Sequence, residues 1–200
     1  KQAQMGYLDN YVELRDNPAL LYPGARTMIC VALNYYPVRF QSDESPRFAY
    51  YAYGRDYHDV MRDKLRQLAV FVSSYSGDAG RACCDTAPVR ERYWAVRAGL
   101  GFIGKNAQLI IPGKGSFFFL GELITSLDLP PDSPVVARCG DCSRCMDSCP
   151  TGALYAPGSV DARLCISCQT IENKGDIAPF VADRMGDRVY GCDTCQQCCP

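Results

Sequence analysis

The feature that most limits what this chain can become is CGDCSRCMDSCP at residues 139–150, where Cys139, Cys142, Cys145 and Cys149 recur at short intervals and Pro150 closes the run. The spacing C-x2-C-x2-C-x3-C-P wraps three thiolates around one corner of a 4Fe–4S cube and turns the fourth toward a second cluster. The chain ends on a related run, YGCDTCQQCCP, with two parses: one uses Cys198 as the third ligand, the other uses Cys199, which precedes Pro200. The position before proline favours Cys199. Cluster one is then Cys139, Cys142, Cys145 and Cys199. Cluster two takes Cys149, Cys192, Cys195 and one thiolate from ARLCISCQTIE, where Cys165 and Cys168 both stand open.

Other uses of the thirteen cysteines fit less well. An odd number crowded into the last third does not make a disulfide framework. Zinc needs four ligands, usually as two spaced pairs, and leaves most of these thiols unexplained. Cys30 reads as a core residue in an apolar strand, and Cys83, Cys84 and Cys198 read as spectators.

With 200 residues, 48% of them hydrophobic, the chain is long and apolar enough for one or two proper cores. Its formal net charge is −1, so no global basic field marks a nucleic-acid binder. Residues 139–200 carry eight acidic and five basic side chains, which leaves the first part slightly basic; an RNA ligand needs only a local patch. No run of about 18 apolar residues predicts a membrane span. The opening KQAQMGYLDN reads as the interior of a longer protein, and the chain is treated as a fragment.

Along the first part, ARTMICVALNYY (25–36) predicts a buried strand after the Pro23-Gly24 turn. DYHDVMRDKLRQLAVFVSSYS predicts a helix with Asp56 at its N-cap and Val60, Met61, Leu65, Leu68, Phe71 and Val72 on one face. RACCD (81–85) predicts a short strand, and TAPVRERYWAVRAGLG a helix with Pro88 in its first turn and Gly99 just past its end. AQLIIPGKGSFFFLGELITSLDL predicts a strand, a turn and one or two further strands. Strands alternating with helices imply an α/β layered domain over residues 1–130. Proline-rich LPPDSPVVAR (129–138) marks its edge, and residues 131–200 form a ferredoxin-like module, so the whole is α+β.

Clusters alone carry electrons and make no product, so the first domain must hold another redox centre or a substrate. Asp85 follows a short strand, at the position where α/β folds present side chains to a crevice; capping the next helix is its structural alternative. The glycines of GLGFIGK follow a helix instead of opening one, which excludes a dinucleotide loop. The lone histidine, His58, reads as a helix-surface residue.

Taken together, LLYPGART, YAYGRDYHDVMRDKL, DTAPVRER, RAGLGFIGKN, GSFFFLGELITSLDL, CGDCSRCMDSCPTGAL, DARLCISCQTIENKG and YGCDTCQQCCP resemble the epoxyqueuosine reductase family nearly end to end. That resemblance implies a cobalamin-binding α/β domain, similar to that of reductive dehalogenases, followed by a two-cluster ferredoxin module. It implies Cys165 as the fourth ligand of cluster two and Cys199 as the fourth of cluster one. Asp85 is implied as the proton donor, with its carboxyl held protonated by burial, and Asp56 is a weaker second candidate. Ala49, Leu109, Leu120, Leu127 and Thr194 are implied as corrin contacts, and Thr170 and Lys174 as tRNA contacts. The implied partners are tRNA carrying epoxyqueuosine and an external low-potential electron donor, for a monomeric cytoplasmic enzyme that uses two 4Fe–4S clusters and cobalamin. The rival readings are reductive dehalogenation of a small molecule with the same cofactors, and an electron-transfer module without a substrate of its own.

Overall fold

In the computed structural model, which describes residues 3–78 and 80–200, the first part runs α1 (Val12–Asp16), β1 (Thr27–Asn34), β2 (Arg47–Phe48), α2 (Tyr57–Ser76), β3 (Arg81–Cys83), α3 (Glu91–Arg97), β4 (Phe102–Ile103), β5 (Leu109–Ile110) and β6 (Phe118–Thr125). The second part runs α4 (Arg144–Asp147), β7 (Leu154–Ala156), β8 (Ser159–Val160), α5 (Ile166–Ile171), α6 (Pro179–Met185), β9 (Arg188–Tyr190) and α7 (Thr194–Gln197).

The two long apolar strands find each other: β1 and β6 pair antiparallel from Thr27↔Thr125 to Asn34↔Phe118. β3 lies on the other side of β6, also antiparallel, with Cys83 opposite Glu122. The order β1-β6-β3 puts β6 between two strands that helices connect, so every ladder in this sheet is antiparallel. The layering expected of an α/β domain holds, with helices on both faces, but the domain is a mixed helix–strand fold and not a parallel α/β one.

α2 forms where the sequence places it. The Asp56 side chain accepts the His58 N–H at the N-terminus, and Gly77 ends the helix with φ +71, its N–H donating to the Ser73 carbonyl. Met61, Leu65 and Val72 are buried, but Phe71 is 60% exposed, because the apolar face is narrower than the periodicity implies. Gly121 of β6 lets the helix lie close: a Cβ there would come within 2.8 Å of Met61 Cε. On the opposite face Trp94 of α3 packs with Leu21, Cys83, Val89 and Ile124. α3 starts later than the sequence suggests. Arg90 is its N-cap, so Pro88 precedes the helix and Asp85 does not cap it; Gly99, at φ +73, follows its end as expected.

Residues 129–138 carry no helix or strand. The two parts are clasped by β2 and β9, which pair in parallel. Next to them the Ala49 N–H donates to the Tyr190 carbonyl at 2.8 Å, and the Tyr50 N–H to Asp193 Oδ2 at 2.7 Å. Gly191 permits this approach, since a Cβ on it would meet Ala49 Cβ at 2.5 Å. The glycines of GLGFIGK serve the β4–β5 hairpin: a Cβ on Gly101 would sit 2.2 Å from the Ile110 carbonyl oxygen. The following Lys105 and Asn106 reach across to the Gly140 and Cys195 carbonyls.

Candidate functional site

Two cavities lie among the cysteine runs. The smaller, about 220 Å³, is lined by Cys139, Cys142, Cys145 and Cys199. The larger, about 550 Å³, is lined by Cys149, Cys165, Cys168, Cys192 and Cys195. Cys198 is on neither wall. Within the larger set, Cys195 feels the charges of Cys192, Cys165 and Cys149, whereas Cys168 feels only Cys165 among the thiols. Burial pushes Cys195 and Cys165 up. Burial acts the same way on Cys149, but the backbone N–H groups of Leu154, Thr151 and Ala153 and the Thr151 hydroxyl outweigh it and hold that thiol low. Such donors suit a sulfur that serves as a metal ligand.

Among the described residues no three His, Cys, Asp or Glu side chains converge on a single metal ion. Zinc would draw its thiolates in to about 2.3 Å. A cube of irons and sulfides keeps its four thiolates apart, and two open pockets with four or five thiols each fit that larger object.

A third cavity, about 840 Å³, is lined by Asp56, His58 and Asp85 and by Tyr7, Tyr51 and Tyr57. It adjoins the larger thiol cavity, because Tyr51, Ile171 and Glu172 line both. Asp85 stands one residue past Cys84 in the left-handed conformation, φ +53, which aspartate tolerates better than most residues. Its N–H donates to Glu91 Oε1, so α3 fixes the turn. Its Oδ2 lies 3.1 Å from His58 Nε2, and His58 Nδ1 lies 2.7 Å from Asp56 Oδ1. The His58 ring stacks on Tyr57 with centroids 4.0 Å apart, and Tyr57 stacks on Phe119 at 4.4 Å. Phe119 lies 4.4 Å from Tyr35, which lines the larger thiol cavity.

The charges around Asp85 depart from the sequence-based expectation. Its side chain is 54% exposed and not buried, because the turn at the end of β3 aims it into an open cavity. Behind it are a half-buried carboxyl, Glu91, and a buried one, Glu122. Burial pushes Glu91 up to about 7 and Glu122 up to about 9, the Glu91 charge adding to the effect on Glu122. Glu122 is fully buried, and neither of its carboxyl oxygens has a hydrogen-bond partner; a buried carboxyl in that position is most stable neutral. Burial works to lower His58, but its hydrogen bonds to Asp85 and Asp56 win and raise it.

The remaining sequence-based candidates are scattered. Ala49 and Thr194 line the larger thiol cavity, and Thr194 Oγ1 accepts from Arg188 Nη2 at 3.0 Å. Leu109 is buried in the β4–β5 hairpin, Leu120 sits opposite Ala32 in the sheet, and Leu127 lies just beyond β6; none of the three lines the Asp85 cavity or the larger thiol cavity. The Thr170 hydroxyl donates to the Ile166 carbonyl and accepts from the Gly191 N–H, so it holds α5 against the clasp. The Lys174 N–H donates to Gln4 Oε1. Tyr51, Tyr57, Glu91 and Glu122 lie outside the sequence-based candidates, and His58, expected on the helix surface, lines the cavity. The available signals were a histidine two residues after an N-cap aspartate and a lone acid inside the apolar FFLGELIT.

Comparison with known proteins gives this geometry its context. Residues 15–86 match the family model described as epoxyqueuosine reductase QueG, DUF1730, and residues 138–200 match the 4Fe-4S double cluster binding domain. The second half is therefore a binding domain for two iron–sulfur clusters. The chain is 44% identical over 198 residues to the epoxyqueuosine reductase of Cellulophaga algicola, covering 98% of this chain and 65% of the relative. It is 42% identical over 202 residues to that of Synechocystis sp., covering 99% and 69%. A crystal structure of epoxyqueuosine reductase with an epoxyqueuosine-modified tRNA-Tyr stem loop superposes with a TM-score of 0.86 at 39% identity, over 98% of this chain and 53% of that one. The chain thus spans between about half and about two thirds of the proteins it matches. Sequence, cysteine placement and fold agree that the chain belongs to the epoxyqueuosine reductase family.

Proposed function

We propose that this chain is the reductive core of an enzyme that converts epoxyqueuosine to queuosine in tRNA, with Asp85 as the proton donor. The carrying observation is the continuity of the Asp85 cavity with the thiol cavity of cluster two through Tyr51, Ile171 and Glu172. The ligand sets are Cys139, Cys142, Cys145 and Cys199 for cluster one, and Cys149, Cys165, Cys192 and Cys195 for cluster two. Cobalamin would lie where the two cavities meet, a space of the order of a large ligand pocket. Ala49 and Thr194 would hold it on the cluster side, and the one histidine on the Asp85 side, His58, is held between Asp56 and Asp85. When bound, it supplies a cobalt centre that passes electrons from the clusters to the epoxide.

Removing the epoxide oxygen as water to leave an alkene consumes two electrons and two protons. The protein supplies the protons and the positioning. The aromatic and cationic wall of Tyr7, Tyr51, Tyr57, Arg15 and Arg55 suits a stacked base with its phosphate, and is a poor match for a small organohalide. Thr170 and Lys174, which flank the cavity-lining Ile171 and Glu172 in sequence, would meet the rest of the tRNA. An external low-potential donor would load cluster one, whose cavity is edged by Lys105, Arg138 and Arg144. The enzyme would act as a monomer in the cytoplasm; no described helix is long and apolar enough to cross a membrane.

The test is turnover of epoxyqueuosine tRNA alongside iron, sulfide and cobalt analysis. Asp85→Ala should keep its metals and lose about 10²–10⁴ in rate. Unchanged turnover in that variant would remove Asp85 from the chemistry, and a protein that binds zinc in place of iron would remove the reading as a whole.

A further inference from the structure

Asp85 holds one proton, but loss of the epoxide oxygen as water needs two. If Asp85 is the donor, it must be reloaded while tRNA covers the cavity. Two titratable side chains touch its carboxylate: the Tyr57 hydroxyl, which burial and the Asp85 charge push far above neutral, and the Nε2 of His58 at 3.1 Å, which is the one able to exchange protons near neutral pH. We propose that His58 reloads Asp85 between the two deliveries, with Asp56 fixing the imidazole tautomer. This inference rests on the reading of Asp85 as donor.

The geometry sets both ends of the relay. Both ring nitrogens face carboxylate oxygens, Nδ1 at 2.7 Å from Asp56 Oδ1 and Nε2 at 3.1 Å from Asp85 Oδ2. With Asp56 ionised, as the hydrogen bonds it accepts from His58 favour, two protonation patterns satisfy both contacts. Either the ring is neutral with Nδ1–H on Asp56 and a protonated Asp85 donating to Nε2, or it is an imidazolium donating to two carboxylates. One proton moving between Nε2 and Oδ2 interconverts them, while the Nδ1–H stays on Asp56. After Asp85 protonates the epoxide oxygen, the neutral ring takes up a proton from solvent, and the imidazolium so formed passes its Nε2 proton to the Asp85 carboxylate and becomes neutral again. Asp85 then protonates the hydroxyl that leaves as water, and a further solvent proton reloads the pair by the same route.

The surroundings hold the ring in this line. Tyr57 stacks on its face, and the ring rides on the first turn of α2, which Asp56 caps through the His58 N–H. Arg15, Arg55 and Glu172 are the other charged groups on the cavity wall, and Glu91 lies behind the Asp85 turn. His58 acts through Asp85 and not on the substrate, so its removal should slow turnover without weakening tRNA binding.

His58 is the only histidine in the chain. Its titration can therefore be followed in the holoenzyme by hydrogen–deuterium exchange at the imidazole C2, read by mass spectrometry. The midpoint should lie above 6.5, the ordinary value, and should fall toward it in Asp85→Asn and in Asp56→Asn. Asparagine keeps the helix cap in the second variant, so folding is preserved. In turnover, His58→Asn should lower kcat about 10–100-fold with KM for tRNA unchanged, and added imidazole should restore part of the rate. Asp85→Ala should not respond to imidazole. A His58→Asn enzyme that runs at the wild-type rate across pH, beside an inactive Asp85→Ala, overturns the relay and leaves Asp85 as donor. An active Asp85→Ala overturns both.

Discussion

The walls around the proposed reaction chamber are held by different forces. On the Asp85 side, a three-stranded sheet with helices on both faces carries both clusters of buried apolar side chains, around Leu21 and Ile124 on one face and Met61 and Leu65 on the other. On the thiol side there are helices of four to seven residues, a two-residue-paired hairpin and scattered buried residues such as Ile166 and Val181. The first wall positions Asp85 by packing, which needs no cofactor. The second positions eight sulfurs by backbone turns that metal binding must stabilise.

That contrast predicts its own largest test. Removing the clusters by chelation, or blocking one with Cys149→Ser, should release amide-exchange protection across residues 139–200 while β1 and β6 keep theirs. Exchange measured by mass spectrometry checks this directly. Protection that persists in the cysteine half of the apoprotein would mean that the half folds by packing after all.

The next effect separates the thiols. Cys199→Ser and Cys165→Ser should each lose about half of the bound iron, whereas Cys198→Ser and Cys168→Ser should retain nearly all of it. The reverse result at either pair would exchange the ligand assignments, and iron content with the visible absorption of the oxidised clusters would report it.

These pairs also show what the sequence could and could not reveal. The spacing before Pro150 and Pro200 was readable, because ligand geometry is local to a few residues. The choice between Cys165 and Cys168 was not readable from spacing, because it depends on α5, which puts Cys165 at its N-cap and Cys168 one turn inside. The same division runs through the first half. The N-cap at Asp56 and the stop at Gly77 are local signals, and both are in place. The antiparallel insertion of β6, the open setting of Asp85 and the burial of Glu91 and Glu122 depend on partners far along the chain, and no periodicity encodes them.

On the packed side a smaller effect is expected from Glu91. Glu91→Ala removes the acceptor of the Asp85 N–H, and a left-handed residue that loses its anchor should wander. Turnover should fall about tenfold, with cluster content unchanged and with Glu91→Gln, which keeps an acceptor oxygen, largely restoring the rate. Equal losses in both variants would show that the carboxyl charge matters and the loop anchor does not.

The smallest effect tests whether the sheet side carries a penalty of its own. Glu122 is raised to about 9 in the fold, so between the ordinary carboxylate range and pH 9 the folded state keeps a proton that the unfolded chain releases. Stability therefore falls as pH rises through that window, by at most about 1.4 kcal/mol per pH unit for one proton. Glu91, raised to about 7, adds to the slope only below that value. His58 also sheds stability as pH rises through its raised folded value, but it does so equally in wild type and variant. The difference between the two proteins from pH 7 to pH 9 thus isolates Glu122. Glu122→Gln should flatten the decline in melting temperature over that interval, followed by circular dichroism under anaerobic conditions. A variant that declines as steeply as the wild type would mean that the carboxyl finds a partner when it ionises, and the packed wall would then be more accommodating than its buried, unpartnered glutamate implies.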